Sequence, residues 1–369
     1  MPAATLDLLD LLKSVKVDGH QQYEALEIFH LRWTADIKRL DYLTLDEALE
    51  AKRIEVVELS QHGQVPQIKI INRSDRMVFL MAGEQLVGCK QNRVLNASMM
   101  VPAHREMPLP VTCVEGGRWG YQSLSFSSGH SSSHHQLRAM MDRQATQGYK
   151  VAGAPRSDQA AVWGEVSRKL DAMGSRSPSS ELQAMYRDQD QRLAQAMEQL
   201  PTPKDCHGAV FTIAGKISGA DLFDQPETLR KLWPKLVRSC AVDSFEASKE
   251  NSGSTALPEV VAWLEHASRA TPTEFPSPGV GQDIRLEGQD IFGAGLLVQD
   301  QPVHVELFRS VGGNHARPNS RSATRPVTAG PARQSSPGPS AAPGDVPAAS
   351  QQGRGGAWLN RIFRRKPVT

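Results

Sequence analysis

The sequence predicts an α+β fold: a largely antiparallel, sandwich-like β core covered by a helical layer, followed by a disordered basic tail. Three observations carry this expectation. Short apolar runs with strand character fill residues 20–130 and return near 210 and over 283–308. Helical periodicity dominates residues 136–268. From residue 311 onward, Pro, Ser, Ala, Gly and Arg prevail, a composition that buries too little apolar surface to offset chain entropy.

The expected organisation is one domain over 1–310, with a β-rich part (20–130), a helical part (136–268) and a β meander (283–308), then a tail over 311–369. The tail holds nine Arg or Lys against Asp345, while the whole chain of 369 residues is only +2, so the body is mildly acidic. Only the tail therefore reads as a binder of anionic surfaces. No apolar run is long enough for a membrane span, and TLDLLDLLKSVKV is too rich in Asp and Lys for a secretory signal. Cys89, Cys113, Cys206 and Cys240 show neither close pairing nor metal-type spacing, so a reduced, cytoplasmic setting is expected.

Taken in order, the N-terminal stretch reads as a short amphipathic helix and Tyr23 to Trp33 as a strand. Thr44 and Glu47 have capping-box spacing, which predicts a helix from there. IEVVELS and VPQIKIIN form a hairpin turned at Gly63, and Met77 to Val87 follows as a strand. Over Val94 to Val101 the odd positions are apolar, with Asn96 and Ser98 on the other face; with LPVTCVEGG this predicts three neighbouring antiparallel strands. SFSSGHSSSHH reads as a mobile loop.

Helices are then expected after Ser157 or Asp158, and after Ser179 and Ser180, the second with Leu182, Met185, Tyr186, Leu193, Met197 and Leu200 on one stripe. Ala209 to Ile217 reads as a strand and SGADLFDQP as a turn-rich junction. A helix begins at Pro226, with Pro234 expected to kink or split it. Another helix covers Leu257 to His266, and three meandering strands end at Arg309.

The unusual chemistry is concentrated between Phe79 and Phe126. GEQ, CKQNR and EGGRWGYQS interrupt apolar runs there, and such groups are costly to bury without partners. Lys90, Gln91, Asn92, Arg93, Arg118, Trp119 and Tyr121 supply what a phosphorylated ligand with a base requires: cations for phosphate, amides for orientation and rings for stacking. Two other readings stand beside it, a buried network in which Glu84 or Glu115 pairs with Arg93 or Arg118, and a protein-partner surface. For catalysis, Glu84 and Glu115 are the candidate acid and base, with Cys113 the alternative nucleophile.

His130, His134 and His135 lie in the Ser-rich stretch without a fixed scaffold, so no metal is expected; no cofactor is indicated either. Asp221 and Asp224 read as carboxylates at the site's edge or as helix-capping residues. In the tail, residues 357–366 place Trp358, Leu359, Ile362 and Phe363 on one helical face among Arg361, Arg364, Arg365 and Lys366. This is a docking peptide for a protein groove or an anionic surface; nucleic acid ranks below both.

The strings GEQLVGCKQNRVLNASMMVPA and LPVTCVEGGRWGYQS resemble the ARG (ADP-ribosylglycohydrolase) and Rhodanese-Phosphatase-superfamily-associated protein domain. YLTLDEAL, SDQAAVW and GADLFDQPETL extend the resemblance over roughly Tyr23 to Ser268. It implies binding, and as an extension processing, of an ADP-ribose-like or other phosphorylated nucleotide ligand, by analogy of association; the alternative is a non-catalytic interaction scaffold with a C-terminal docking peptide. Cys89 stands where the family more usually has Ala, which argues against an essential nucleophile there. CVEGGRW replaces the more familiar CVEQGRW and loosens the turn before Arg118.

Overall fold

The computed structural model describes residues 8–60, 66–247 and 253–310. The chain begins with α1 (Leu8–Lys13), β1 (Val15–Tyr23), β2 (Leu26–Trp33), β3 (Tyr42–Thr44) and α2 (Leu45–Glu50). A run of short strands follows: β4 (Ile54–Glu58), β5 (Gln67–Asn72), β6 (Met77–Leu80), β7 (Glu84–Gly88), β8 (Arg93–Leu95), β9 (Met99–Val101), β10 (Glu106–Cys113) and β11 (Phe126–Ser132). The helical part comprises α3 (His135–Ala152), α4 (Gln159–Met173), α5 (Gln183–Asp188) and α6 (Asp190–Gln199). Then come β12 (Gly208–Ile213), β13 (Lys216–Phe223), α7 (Pro226–Ala247), α8 (Leu257–Ala267), β14 (Thr271–Pro276), β15 (Gln282–Glu287), β16 (Ile291–Val298) and β17 (Gln301–Arg309).

An eight-stranded antiparallel sheet runs β1-β2-β12-β13-β17-β16-β15-β14, and a six-stranded one runs β11-β7-β8-β10-β5-β4. A third sheet, β3-β6-β9, contains the one parallel pairing among the named strands, β3 with β6. The α+β class with a largely antiparallel core is thus as the sequence predicts. Helix α7 packs against β11 of the smaller sheet and against β12 and β13 of the larger, so this part of the helical layer serves both. Its buried Leu229, Trp233, Leu236 and Phe245 join Phe79, Phe211 and Tyr186 in the largest apolar cluster. On the large sheet a second cluster gathers Leu8, Leu11, Val260 and Trp263 over Leu31, Val210 and Val305. Burying side chains of this kind is the main favourable contribution to folding.

Several expectations hold at the level of residues. Glu47 Oε2 accepts from both Thr44 N–H and Thr44 Oγ at 2.9 Å, closing the N-terminus of α2. Asp158 caps α4, its carboxylate accepting from Ala160 N and Ala161 N. β4 and β5 form the expected antiparallel pair, although Gly63 lies outside the described residues, as does the whole tail from 311. β7, β8 and β10 are the three neighbouring antiparallel strands.

Other expectations are corrected. Val94 to Val101 is not one strand: β8 and β9 belong to different sheets, and both faces are buried throughout, Asn96 and Ser98 included. Met77 to Val87 is divided at Met81–Gly83, where Gly83 has φ +85°, a left-handed conformation that L side chains rarely adopt. Ala209 to Ile217 is a hairpin, and the residues read as a turn-rich junction form most of β13, because they pair with β12 and β17. The helix expected after Ser180 is interrupted at Gln189, yet of its stripe Leu182, Met185, Tyr186, Leu193 and Leu200 are buried and Met197 is half-buried against the same cluster. Pro234 does not split α7; Trp233, Leu236 and Val237 around it are fully buried, and that packing outweighs one missing N–H.

The Ser-rich stretch is the largest departure. Residues 126–132 form β11 against β7, and Ser131 through His135 are buried. Ser133 N–H donates to Gly83 O at 2.7 Å, Gln85 Nε2 donates to Ser131 Oγ at 3.1 Å, and His134 Nδ1 lies 3.1 Å from Asp243. Composition favours a loop, but pairing with β7 and these tertiary hydrogen bonds hold the segment in place.

Candidate functional site

The site is assembled from the β7–β8 hairpin and the loop that follows β10. The hairpin turn passes through Cys89, whose φ of +43° is an uncommon left-handed value for a side-chain-bearing residue. Arg118 braces that turn, donating from Nη1 to Cys89 O at 2.6 Å and to Gly120 O at 2.9 Å. The opposite edge of its guanidinium grips Glu115, with Nε to Oε1 at 2.8 Å and Nη2 to Oε2 at 2.6 Å. This two-bond fork is a strong and directional ion-pair geometry.

Glu115 is shared further. Its Oε2 accepts Asn92 N–H at 3.0 Å, and its backbone oxygen accepts from Gln91 Nε2 at 2.9 Å. Asn92 in turn donates from Nδ2 to Glu181 Oε2 at 3.0 Å. Burial pushes the Glu115 carboxyl up, but the hydrogen bonds from Arg118 and the Asn92 N–H outweigh it and hold the group below its ordinary value. Gln91, Asn92, Glu115 and Arg118 are therefore brought together and paired with one another, the first three buried and Arg118 half-buried over them.

Arg93 lies completely buried beside them. Nη1 donates to Gln91 Oε1 at 3.0 Å and contacts Cys113 Sγ, while Nη2 is 3.8 Å from Glu58 Oε1. Neither Nε nor Nη2 makes a hydrogen bond among the described residues. Burial pushes the Cys113 thiol up to about 11, against the nearby Arg93 charge, so it is a poor thiolate. Above Arg93 sits the Trp119 ring, 5.9 Å from the guanidinium carbon. Lys90 Nζ stands between two rings, 5.3 Å from the centroid of Trp119 and 5.2 Å from that of Tyr121. Both rings are about half exposed, at 51% and 49%.

Glu84 is held elsewhere. Its Oε1 accepts from Lys235 at 2.5 Å and its Oε2 from Met81 N–H at 2.8 Å, and burial raises its carboxyl against the pull of Lys235. Glu84 and Glu115 thus have separate cations and no common partner among these bonds. Asp221 and Asp224 also have their own partners: Arg138 and His304 for the first, the Tyr42 hydroxyl at 2.5 Å for the second. His130 is exposed while His134 and His135 are buried, and no group of three or more metal-ligating side chains occurs among the described residues.

Sequence reasoning did not find Glu58, Glu181, Lys235 or Trp163. Glu58 reaches the site from the end of β4 and Glu181 from the segment before α5, while Lys235 on α7 holds Glu84 away from it. Trp163 on α4 lies under Gly116, where an added Cβ would meet its ring at 3.9 Å. A large aromatic in an otherwise polar helical face was the available signal.

Residues 14–308 match the ARG and Rhodanese-Phosphatase-superfamily-associated Protein domain. No curated protein and no solved structure matches the chain. Among the described residues no helix is long and apolar enough to cross a membrane.

Proposed function

The chain belongs to the ARG and Rhodanese-Phosphatase-superfamily-associated Protein domain family, and from that premise we propose that it binds a phosphorylated nucleotide of the ADP-ribose type on the exposed rings of Trp119 and Tyr121, with the largely buried Lys90 ammonium beside them. One observation carries the reading: an ammonium group beside two half-exposed aromatic rings, one of which, Trp119, also lies 5.9 Å from a buried guanidinium with two nitrogens that make no hydrogen bond. Rings of this kind stack on a base, and the two cations attract phosphate oxygens. Gln91, Asn92, Glu115 and Arg118 serve as the frame that fixes the hairpin and the 116–121 loop. Glu84 and Glu115 enter as anchoring carboxylates, so the proposal is one of recognition rather than turnover.

Calorimetric titration of the full chain with ADP-ribose tests it. Binding that weakens in both Trp119→Ala and Lys90→Ala is the expected result. Wild-type protein that takes up no heat with ADP-ribose, AMP or NAD would remove the proposal.

A second reading, a non-catalytic scaffold, is favoured by Leu124, which is 88% exposed close to the same rings in sequence. An apolar side chain this bare suits a protein partner. In that case Leu124→Asp abolishes partner recovery and leaves nucleotide titrations unchanged.

A further inference from the structure

Trp163 and Gly116 extend the surface beyond Trp119. Among the large apolar side chains that are exposed, the three aromatics are Trp119, Tyr121 and Trp163, and all three adjoin the segment 116–121. Trp163 is 39% exposed and belongs to α4, whereas the other two belong to the loop. Gly116 is itself exposed and has no positive φ, so its backbone does not require glycine. The atoms nearest to a Cβ there would be Cδ1, Cε2 and Nε1 of the Trp163 ring, at an ordinary 3.9 Å. Its neighbour differs: a Cβ on Gly117 would come within 2.9 Å of Ser179 Cα, and Gly117 N–H donates to Ser179 O at 2.8 Å. Close packing therefore explains Gly117, but not Gly116. Having no side chain, Gly116 adds no cover of its own to the Trp163 ring, which is 39% exposed.

Gly116 links the two rings along the chain. Trp119 is three residues beyond Gly116, so its Cα lies within about 11 Å of the Gly116 Cα, given the fixed spacing of consecutive Cα atoms. We infer that Trp163 is a second stacking platform and Gly116 the position that keeps it open, so that the site prefers nucleotides with a second ring beyond the diphosphate, that is, dinucleotides. The inference rests on the nucleotide reading above and adds the ligand class. With the adenine on Trp119 or Tyr121 and the diphosphate toward Lys90 and Arg93, the second ring reaches Trp163. A cationic ring such as nicotinamidium gains from an indole face by charge as well as by contact.

NAD and ADP-ribose differ by that ring alone, which makes them the discriminating pair. Titrating both into the full chain, wild type is expected to bind NAD more tightly. Trp163→Ala should lower NAD affinity about tenfold, the scale of one stacked base, and leave ADP-ribose unchanged. Gly116→Gln, which covers the indole without removing it, should act in the same direction and guards against a folding defect in the first variant. Trp119→Ala should weaken both ligands. If Trp119→Ala weakens both while Trp163→Ala and Gly116→Gln bind NAD as wild type does, the second platform is overturned and the nucleotide site stands. If wild type binds neither ligand, both readings fall.

Discussion

Lys235 Nζ lies 2.5 Å from Glu84 Oε1 and 2.7 Å from Asp46 Oδ1, joining α7 to the start of β7 and to α2. Burial works against the ammonium, but the two carboxylates outweigh it and raise its pKa, so Lys235 is held charged. Glu84 is thereby committed to a fold-bearing ion pair, apart from the carboxylate of Glu115.

Lys235→Met should accordingly cost about 3–5 kcal/mol, because it leaves Glu84 buried without a countercharge. Urea denaturation measures this. The double variant Lys235→Met, Glu84→Gln should recover part of the loss, since the only carboxylate then left without Lys235 is the partly exposed Asp46.

Arg118→Ala removes the fork to Glu115 and the brace on Cys89 O. A loss of about 3 kcal/mol is expected from the broken pair. Hydrogen exchange should quicken at the amides of Asn92 and Gln122, which donate to Glu115 and to Cys89 O within the same frame.

Gly117→Ala places a Cβ 2.9 Å from the Ser179 backbone and should destabilise by about 1–3 kcal/mol, whereas Gly116→Ala should stay within about 0.5 kcal/mol of wild type. Thermal unfolding of the two single variants tests the contrast.

Burial pushes the Asp224 carboxyl up to about 7, against hydrogen bonds from Tyr42 and the backbone, and Glu306 is pushed to about 7 by burial as well. Between about pH 4 and 7 the folded protein keeps protons that the unfolded chain has released, so stability from these groups is present below about pH 4 and lost as pH rises through 7. Asp221 and Asp243 have the opposite sign: burial is outweighed by Arg138 and by Lys169, their pKa values fall, and their contribution is lost in acid. Asp224→Asn should flatten the fall in unfolding free energy between pH 4 and 7 and stabilise the protein at pH 8.

All four cysteines are buried, and burial raises the Cys89 and Cys113 thiols to about 11. A colourimetric thiol reagent at pH 7.5 should find none accessible in the native protein and four after unfolding in guanidinium.

Much of the fold was legible locally. The Thr44–Glu47 box, the Asp158 cap and the meander ending at Arg309 depend on neighbours within a few residues or on short-range alternation, and sequence displays both. The strand over SFSSGHSSSHH was not, because its bonds go to β7, Gly83 and Asp243, none of which composition reveals. For the candidate site, residue types and their clustering between Phe79 and Phe126 were visible, as was the option that Arg118 pairs with Glu115. Which carboxylate meets which cation was decided by tertiary structure alone: Lys235 arrives at Glu84 across 151 positions, and Glu181 at Asn92 across 89. The sequence by itself determined an α+β body and the stretch holding its polar residues. Only the packing of α7 and the hairpin turn decided which of those groups are buried, Lys90 and Arg93 among them, and which, Trp119 and Tyr121, form the outer face, because ion pairs and exposure depend on distances in space that separation along the chain does not encode.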